Sequence, residues 1–344
     1  KTQMPILQNI FLEASSEIKM VAMSLEMTEI AILPGKTIKE GGVCVPAKLF
    51  LDFVSTLPQE PVEISLEDGG VSISCGGSSA VIPTVGREEF PPVSLVSGEK
   101  KNIEEGQLLD AISSVVFSAA TDDSRPLLTG VCVVPSGDET TFVATDGYRL
   151  SVSKINGTFS FEEKRIIPAR ALSELVRICG EEKEKHGIDL FETEEKQIAF
   201  RVGDTTLVTR PIDGEYPNYE KIIPKTHSTS AVVQKETLMR AVKSAAIFAK
   251  DNANIVKLHL DETGITASAN TPSVGKNTVL VPVSISGEGG DIAFNSRFLL
   301  DFFSHVDSDE VTFEMTGSLN PGVFRTKESE GFLHIIMPVR VQNS

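Results

Sequence analysis

Pro46-Ala47-Lys48-Leu49-Phe50-Leu51, Pro168-Ala169-Arg170-Ala171-Leu172 and Asn295-Ser296-Arg297-Phe298-Leu299-Leu300 are three versions of one phrase. Each sets proline or asparagine ahead of a small residue, a base and an apolar run, which reads as the opening of a helix. They stand at positions 46, 168 and 295, hence 122 and 127 residues apart. A second set, Pro5-Ile6-Leu7-Gln8-Asn9, Pro126-Leu127-Leu128-Thr129-Gly130 and Asn254-Ile255-Val256-Lys257-Leu258, keeps the same rhythm with spacings of 121 and 128. Solenoid units of roughly 20–50 residues cannot bury a core alone, whereas a period of this length is domain-sized. The chain therefore reads as three tandem copies of one domain.

The boundaries expected are 1–99, 100–226 and 227–344, with short polar joints near Ser97–Lys101 and Lys225–Ser228 that favour a fixed arrangement over loose beads. In repeats two and three the Pro126 and Asn254 anchors follow a helical stretch of about 20 residues. The chain begins at Lys1, directly on the Pro5 anchor, so an N-terminal strand and helix are expected to be missing from domain one.

Repeat two is the fullest example. Leu108, Leu109, Ile112, Val115 and Val116 recur at helical spacing over Glu105–Ala120. A second helix follows Pro168 over Ala169–Cys179, with Gly180 where a stop belongs. Between and after them lie short alternating runs punctuated by Gly137-Asp138 and Asp146-Gly147. The fold class expected is α+β, each copy laying two helices over antiparallel sheet.

Composition narrows the function. Hydrophobic residues make up 40 % and charged residues 23 %, ordinary for a globular protein, and no run of about 18 apolar residues offers a membrane span. The four cysteines at 44, 75, 132 and 179 form no CxxC and read as reduced core thiols of a cytoplasmic protein, which makes the Asn156-Gly157-Thr158 sequon a coincidence. No phosphate loop, HExxH, GxSxG or dinucleotide fingerprint is present, and the five histidines (186, 227, 259, 305, 334) are scattered. Runs such as Glu181-Glu182 and Asp307–Glu310 sit at helix ends and turns, where solvated carboxylates are expected. No enzyme activity, metal or cofactor is expected.

The net charge of −16 argues at face value against nucleic acid. A body acidic outside and basic on one inner surface has the same total. The stretch Lys235–Lys250 carries Arg240, Lys243 and Lys250 on one stripe and Leu238, Val242, Ala245 and Ala249 on another. Lys48, Arg170 and Arg297 recur in the first turn of the other helix of every copy, where a base opposes the helix dipole. Stability does not ask for that three times, and a phosphate would. Ile247 interrupts the polar stripe beside Phe248, a sign of association. The turn Ala144-Thr145-Asp146-Gly147-Tyr148-Arg149-Leu150 needs no function as a hairpin. The tail Ile335-Ile336-Met337-Pro338-Val339-Arg340-Val341 is apolar, with a proline that resists ordinary pairing, and suits the lining of a peptide groove.

Taken together these stretches resemble the bacterial sliding clamp family, the β subunit of DNA polymerase III. The carriers are Pro5-Ile6-Leu7, Ser124–Gly130, Ala144–Leu150, Asp213-Gly214-Glu215-Tyr216-Pro217-Asn218-Tyr219, Phe294-Asn295 and Met337–Arg340, and they span essentially the whole chain. The resemblance implies a head-to-tail homodimer of six domains closing a ring, with helices lining a hole through which duplex DNA slides without sequence readout. It also implies docking of the polymerase III catalytic subunit, a clamp loader and other motif-bearing proteins.

By the same resemblance the partner-peptide pocket comprises Leu128, Thr145, Gly147, Tyr148, Arg149, Leu150, Pro217, Lys221, Ile222, Phe298, Ile336, Met337, Pro338, Val339 and Arg340. Lys221 stands where an arginine is common in the family, and Phe298 where a tyrosine is common. Lys48, Arg125, Arg170, Lys235, Arg240, Lys243 and Arg297 are the candidate DNA contacts. Ile247 and Phe248 would meet the strands Val71–Cys75 and Ser78–Ile82 of the next copy through Ile73, Cys75 and Ile82. A peptide scaffold that holds no DNA, and an unrecognised enzyme, are the alternative readings.

Overall fold

The computed structural model describes residues 4–93, 100–157, 161, 163–181, 187–193, 196–327 and 331–340. Most of the Ser97–Lys101 joint, Thr158 of the sequon, Glu182, His186 and Val341 lie outside these residues.

The first repeat forms β1 (Asn9–Ala14), β2 (Ile18–Met23), β3 (Met27–Leu33), β4 (Gly41–Pro46), α1 (Ala47–Val54), β5 (Glu63–Glu67), β6 (Gly70–Cys75) and β7 (Ser78–Ile82). The second forms β8 (Lys101–Ile103), α2 (Glu105–Val116), β9 (Gly130–Ser136), β10 (Glu139–Thr145), β11 (Arg149–Asn156), β12 (Arg165–Pro168), α3 (Ala169–Glu181), β13 (Ile188–Glu192), β14 (Ile198–Val202) and β15 (Thr205–Thr209). The third forms β16 (Thr229–Gln234), α4 (Lys235–Ala249), β17 (Ile255–Asp261), β18 (Gly264–Thr271), β19 (Gly275–Val281), β20 (Ile285–Gly287), β21 (Gly290–Asn295), α5 (Ser296–His305), β22 (Glu310–Met315), β23 (Gly322–Thr326) and β24 (Leu333–Ile336).

The repeats are real, but the compact units cut across them. One unit comprises residues 1–104 and 177–211, the other 105–176 and 212–344. The cause is sheet pairing. In the first unit, an eight-stranded sheet runs β4-β1-β2-β3-β15-β14-β13-β8, so the first repeat's meander joins the second repeat's last strands. The seam is antiparallel, from Thr205 opposite Ala31 to Thr209 opposite Met27. A separate three-stranded sheet runs β5-β6-β7.

In the second unit a nine-stranded sheet runs β12-β9-β10-β11-β24-β23-β22-β16-β20, and its seam pairs Arg149 with Ile336 and Val152 with Leu333. A four-stranded sheet runs β19-β18-β17-β21. The strands of each repeat are thus dealt to two sheets, with helices packed on them. The helix α4 lies on β17–β19 and against α5, while α2 lies on β10 and β11.

Local sequence explains where the helices run. In α4, Leu238, Val242, Ala245 and Ala249 are all buried, as their spacing requires. The Asn295 side chain caps α5 by accepting from the Arg297 amide at 3.0 Å. Leu299, Phe302 and Phe303 then enter a core shared with Phe294, Phe313 and Phe324.

Two helix ends, those of α2 and α3, differ from the sequence reading. The helix α1 stops at Val54, because the hydroxyls of Ser55 and Thr56 bond back to the Asp52 and Phe53 carbonyls. The helix α2 stops at Val116; Ser118 turns inward, its hydroxyl 2.8 Å from that of Ser151. The helix α3 passes through Gly180 to Glu181, whose carboxylate meets Arg177 one turn earlier at 2.6 Å. All four cysteines are buried and free, and burial pushes the Cys132 thiol up to about 11.

Candidate functional site

The turn between β10 and β11 is built by its own side chains. Asp146 Oδ1 accepts the amides of Tyr148 at 2.9 Å and Arg149 at 3.0 Å. Thr145 Oγ1 donates to the Arg149 carbonyl at 2.6 Å and accepts from the Gly147 amide at 3.0 Å. Gly147 adopts φ +89°, and a Cβ there would stand 2.6 Å from a terminal nitrogen of Arg125. The positive φ favours glycine, while the end of the flexible Arg125 side chain could move aside. The Thr145 amide donates to the Tyr216 hydroxyl at 3.1 Å; burial holds that phenol far above its ordinary pKa.

Tyr148 is left 56 % exposed, its ring stacked on Phe298 at 6.3 Å with the Arg125 guanidinium 5.9 Å away on it. The Met337 amide donates to the Tyr148 carbonyl at 2.8 Å, which carries the β11–β24 pairing one residue past Ile336, and the Met337 side chain is exposed. Val339 is then tied to the Ala293 carbonyl at 2.8 Å, with Pro338 and Val339 half-buried. Pro217, Lys221 and Ile222, on the segment that follows buried Tyr216, are exposed. A short apolar strip with a few polar groups at its rim is suited to holding an extended peptide.

The expected pocket residues divide into two kinds. Leu128 and Leu150 are core, buried with Cys132, Val143, Tyr216 and Ile335, whereas Ile336 faces the other side of the sheet and is buried among the phenylalanines there. Arg149 is also buried. Its Nε lies 3.1 Å from Asp146 Oδ2, a terminal nitrogen lies 2.7 Å from Asp301 Oδ2, and the rings of Phe298 and Phe117 flank it at 4.8 and 5.5 Å. It braces the site. Tyr148, Met337, Ile222, Pro217, Lys221 and Arg340 are exposed. Beneath them Ser151 Oγ lies 2.8 Å from Nδ1 of fully buried His334, which burial holds well below its usual pKa.

Lys48, Arg170 and Arg297 are exposed in the first turns of α1, α3 and α5, and Arg240 and Lys243 are exposed on α4. Lys235 is otherwise engaged: its Nζ donates to the Val306 carbonyl at 2.8 Å and ties α4 to the end of α5. Arg125 lies over Tyr148 at the rim of the groove.

The interface residues need a correction. Ile247 is 60 % exposed and Phe248 half-buried against the core, as association would need of the first. Ile73, Cys75 and Ile82, however, are 0 %, 4 % and 2 % exposed and point into the domain, so they are no contact surface. The strand β6 is flanked on both sides by β5 and β7 and has no edge to offer. The exposed apolar residues of that sheet are Ile64, Leu66 and Val81, the last on the open strand β7. Alternation along β7 was the signal for Val81: it is the apolar neighbour of Ile82 that faces the other way.

Three tandem helix-on-sheet domains, with sheets fused across their joints, define a clamp-type protein. Family models of the DNA polymerase III beta subunit match in order: the N-terminal domain over residues 1–94, the central domain over 102–218 and the C-terminal domain over 220–340. The chain belongs to this family. It is 28 % identical to the beta sliding clamp of Chlamydia muridarum over 347 residues, covering 99 % of this chain and 93 % of that one. The solved beta subunit of Thermotoga maritima DNA polymerase III superposes with a TM-score of 0.90 at 26 % identity, covering 98 % and 92 %. The Bacillus subtilis DNA polymerase sliding clamp gives 0.87 at 26 % identity, covering 99 % and 93 %.

Proposed function

We propose that this chain is a non-catalytic processivity clamp: two copies close head to tail around duplex DNA, and the groove at Tyr148 and Met337 docks the polymerase III catalytic subunit, the clamp loader and other motif-bearing proteins. The observation that carries this reading is a rule in the strand pairing. The third strand of one repeat's meander pairs with the last strand of the following repeat, as β3 with β15 and β11 with β24. By the same rule β19 seeks the last strand of a first repeat, β7. Both are edge strands here, and each exposes apolar side chains, Leu280 and Val81. A second copy satisfies both edges at once, and the head-to-tail contact then closes into a ring.

DNA inside such a ring needs no base contacts. The exposed bases Lys48, Arg170, Arg240, Lys243 and Arg297 supply sequence-blind phosphate attraction, while the net charge of −16 disfavours DNA on the remaining surface. The test is topological. Loaded onto nicked circular DNA, the protein should stay bound through high-salt gel filtration and be lost when the circle is cut with a restriction enzyme. Equal retention on both forms would replace encirclement with plain electrostatic binding.

A further inference from the structure

A cavity of about 230 Å³ opens beside the docking groove, walled by Pro224–His227 on one side and by Glu314, Val323 and Arg325 on the other. Thr316 Oγ1 donates to the Thr226 carbonyl at 3.1 Å, and the Ser228 amide donates to the Met315 carbonyl at 3.0 Å, so the two walls are stitched together. The Glu314 carboxylate accepts from Arg325 Nε at 3.2 Å and lies 3.7 Å from His227 Nδ1. Its side chain is only 15 % exposed, against 41 % for Arg325 and 47 % for His227. The one acid is therefore already matched, and what faces solvent is Arg325, His227 and the exposed Lys225. A guanidinium engaged through Nε keeps further N–H donors for a second carboxylate.

This cavity lies in line with the groove along the sheet. Cross-strand register sets Leu150 opposite Ile335, Ile335 opposite Val323 and Val323 opposite Glu314, one row on one face of the nine-stranded sheet. The segment that edges the groove at Lys221 and Ile222 runs on directly into Pro224–His227. Three strand spacings carry the row about 14 Å from the apolar floor to Glu314, the reach of about four residues of extended peptide.

The geometry points to a second subsite for the same docking peptide, one that takes a carboxylate about four residues from the apolar anchor. The carboxylate comes from an aspartate or glutamate side chain, or from the peptide's own C-terminus. This rests on the docking role of the groove given above.

The test uses the intact protein and fluorescein-labelled peptides from the polymerase catalytic subunit's tail, ending at the fourth residue beyond the anchor. That residue is Glu or Gln, and the terminus is free acid or amide. In fluorescence anisotropy, versions with a carboxylate should bind about three- to tenfold tighter than the Gln amide. The comparison of Glu amide with Gln acid identifies the source. The advantage should fall below about twofold in Arg325→Ala and in Lys225→Ala, which leaves the Glu314–Arg325 pair intact, and should largely survive in Arg325→Lys. Equal affinity of all four peptides for the wild type, or an advantage that survives both alanine variants, overturns the subsite while tight binding lost in Met337→Ala still supports the groove. Failure of every peptide to bind overturns both.

Discussion

A terminal nitrogen of Arg149 sits 2.7 Å from Asp301 Oδ2, joining the turn after β10 to α5 beside the proposed docking groove. Nε of the same guanidinium holds Asp146, whose other oxygen organises the turn that presents Tyr148. One arginine therefore ties the turn to α5, its planar fork presenting different N–H groups to the two carboxylates.

Arg149→Ala should destabilise the protein by about 1–3 kcal/mol in urea unfolding, since it strands the half-buried Asp146 and empties the space between Phe117 and Phe298. Arg149→Lys should recover less than half of that loss. Full recovery by lysine would show that charge alone, without the fork, holds the turn.

Met337 and Leu150 should separate binding from folding. Met337 is 38 % exposed and Leu150 only 2 %. Met337→Ala is expected to weaken a polymerase tail peptide by about 1–3 kcal/mol with little change in stability. Leu150→Ala should also lower stability by about 2–5 kcal/mol, the cost of a core cavity. Titration calorimetry with parallel denaturation checks both, and an unchanged peptide affinity in Met337→Ala would move the site elsewhere.

For self-association, Ile247→Lys and Val81→Lys should each shift sedimentation from dimer to monomer, because a charge is buried without a partner. Ile73→Ala should cost stability and leave the sedimentation of the folded fraction alone. Dimers that persist in both lysine variants would remove these residues from the interface.

His334 sets a pH dependence. Burial depresses its pKa in the folded state below the ordinary 6.5, so the unfolded chain takes up a proton there that the folded chain refuses. Its contribution to stability is constant above that value and is lost as pH falls below it, at up to about 1.4 kcal/mol per pH unit. His334→Phe keeps a ring between Phe302 and Phe117 and should flatten the stability profile between about pH 6.5 and 5. A profile as steep as that of the wild type would assign the slope to other groups.

Much of the fold was legible because its signals are local. The apolar stripe of Leu238, Val242, Ala245 and Ala249 and the Asn295 cap follow from helical geometry within a few residues. The Asp146-Gly147 turn also follows from short-range chemistry. The strands β8 and β20, three residues each, are too short to carry a period-2 pattern. In the docking site the residue types were readable. That Arg149 is a brace and Leu150 a floor was not, since burial depends on what α5 and β24 bring from about 150 and 185 residues away.

By itself the sequence determined that one domain recurs three times, which segments coil or extend, and where the tight turns fall, since each depends on neighbours within one turn or one hairpin. Only the tertiary structure decided that sheets run across the repeat boundaries, that β7 and β19 lie at sheet edges, and that Val81 rather than Ile82 faces outward. A period-2 pattern distinguishes the two faces of a strand, but which face is covered, and which strand lies at the rim, depends on hydrogen-bond partners remote in the chain.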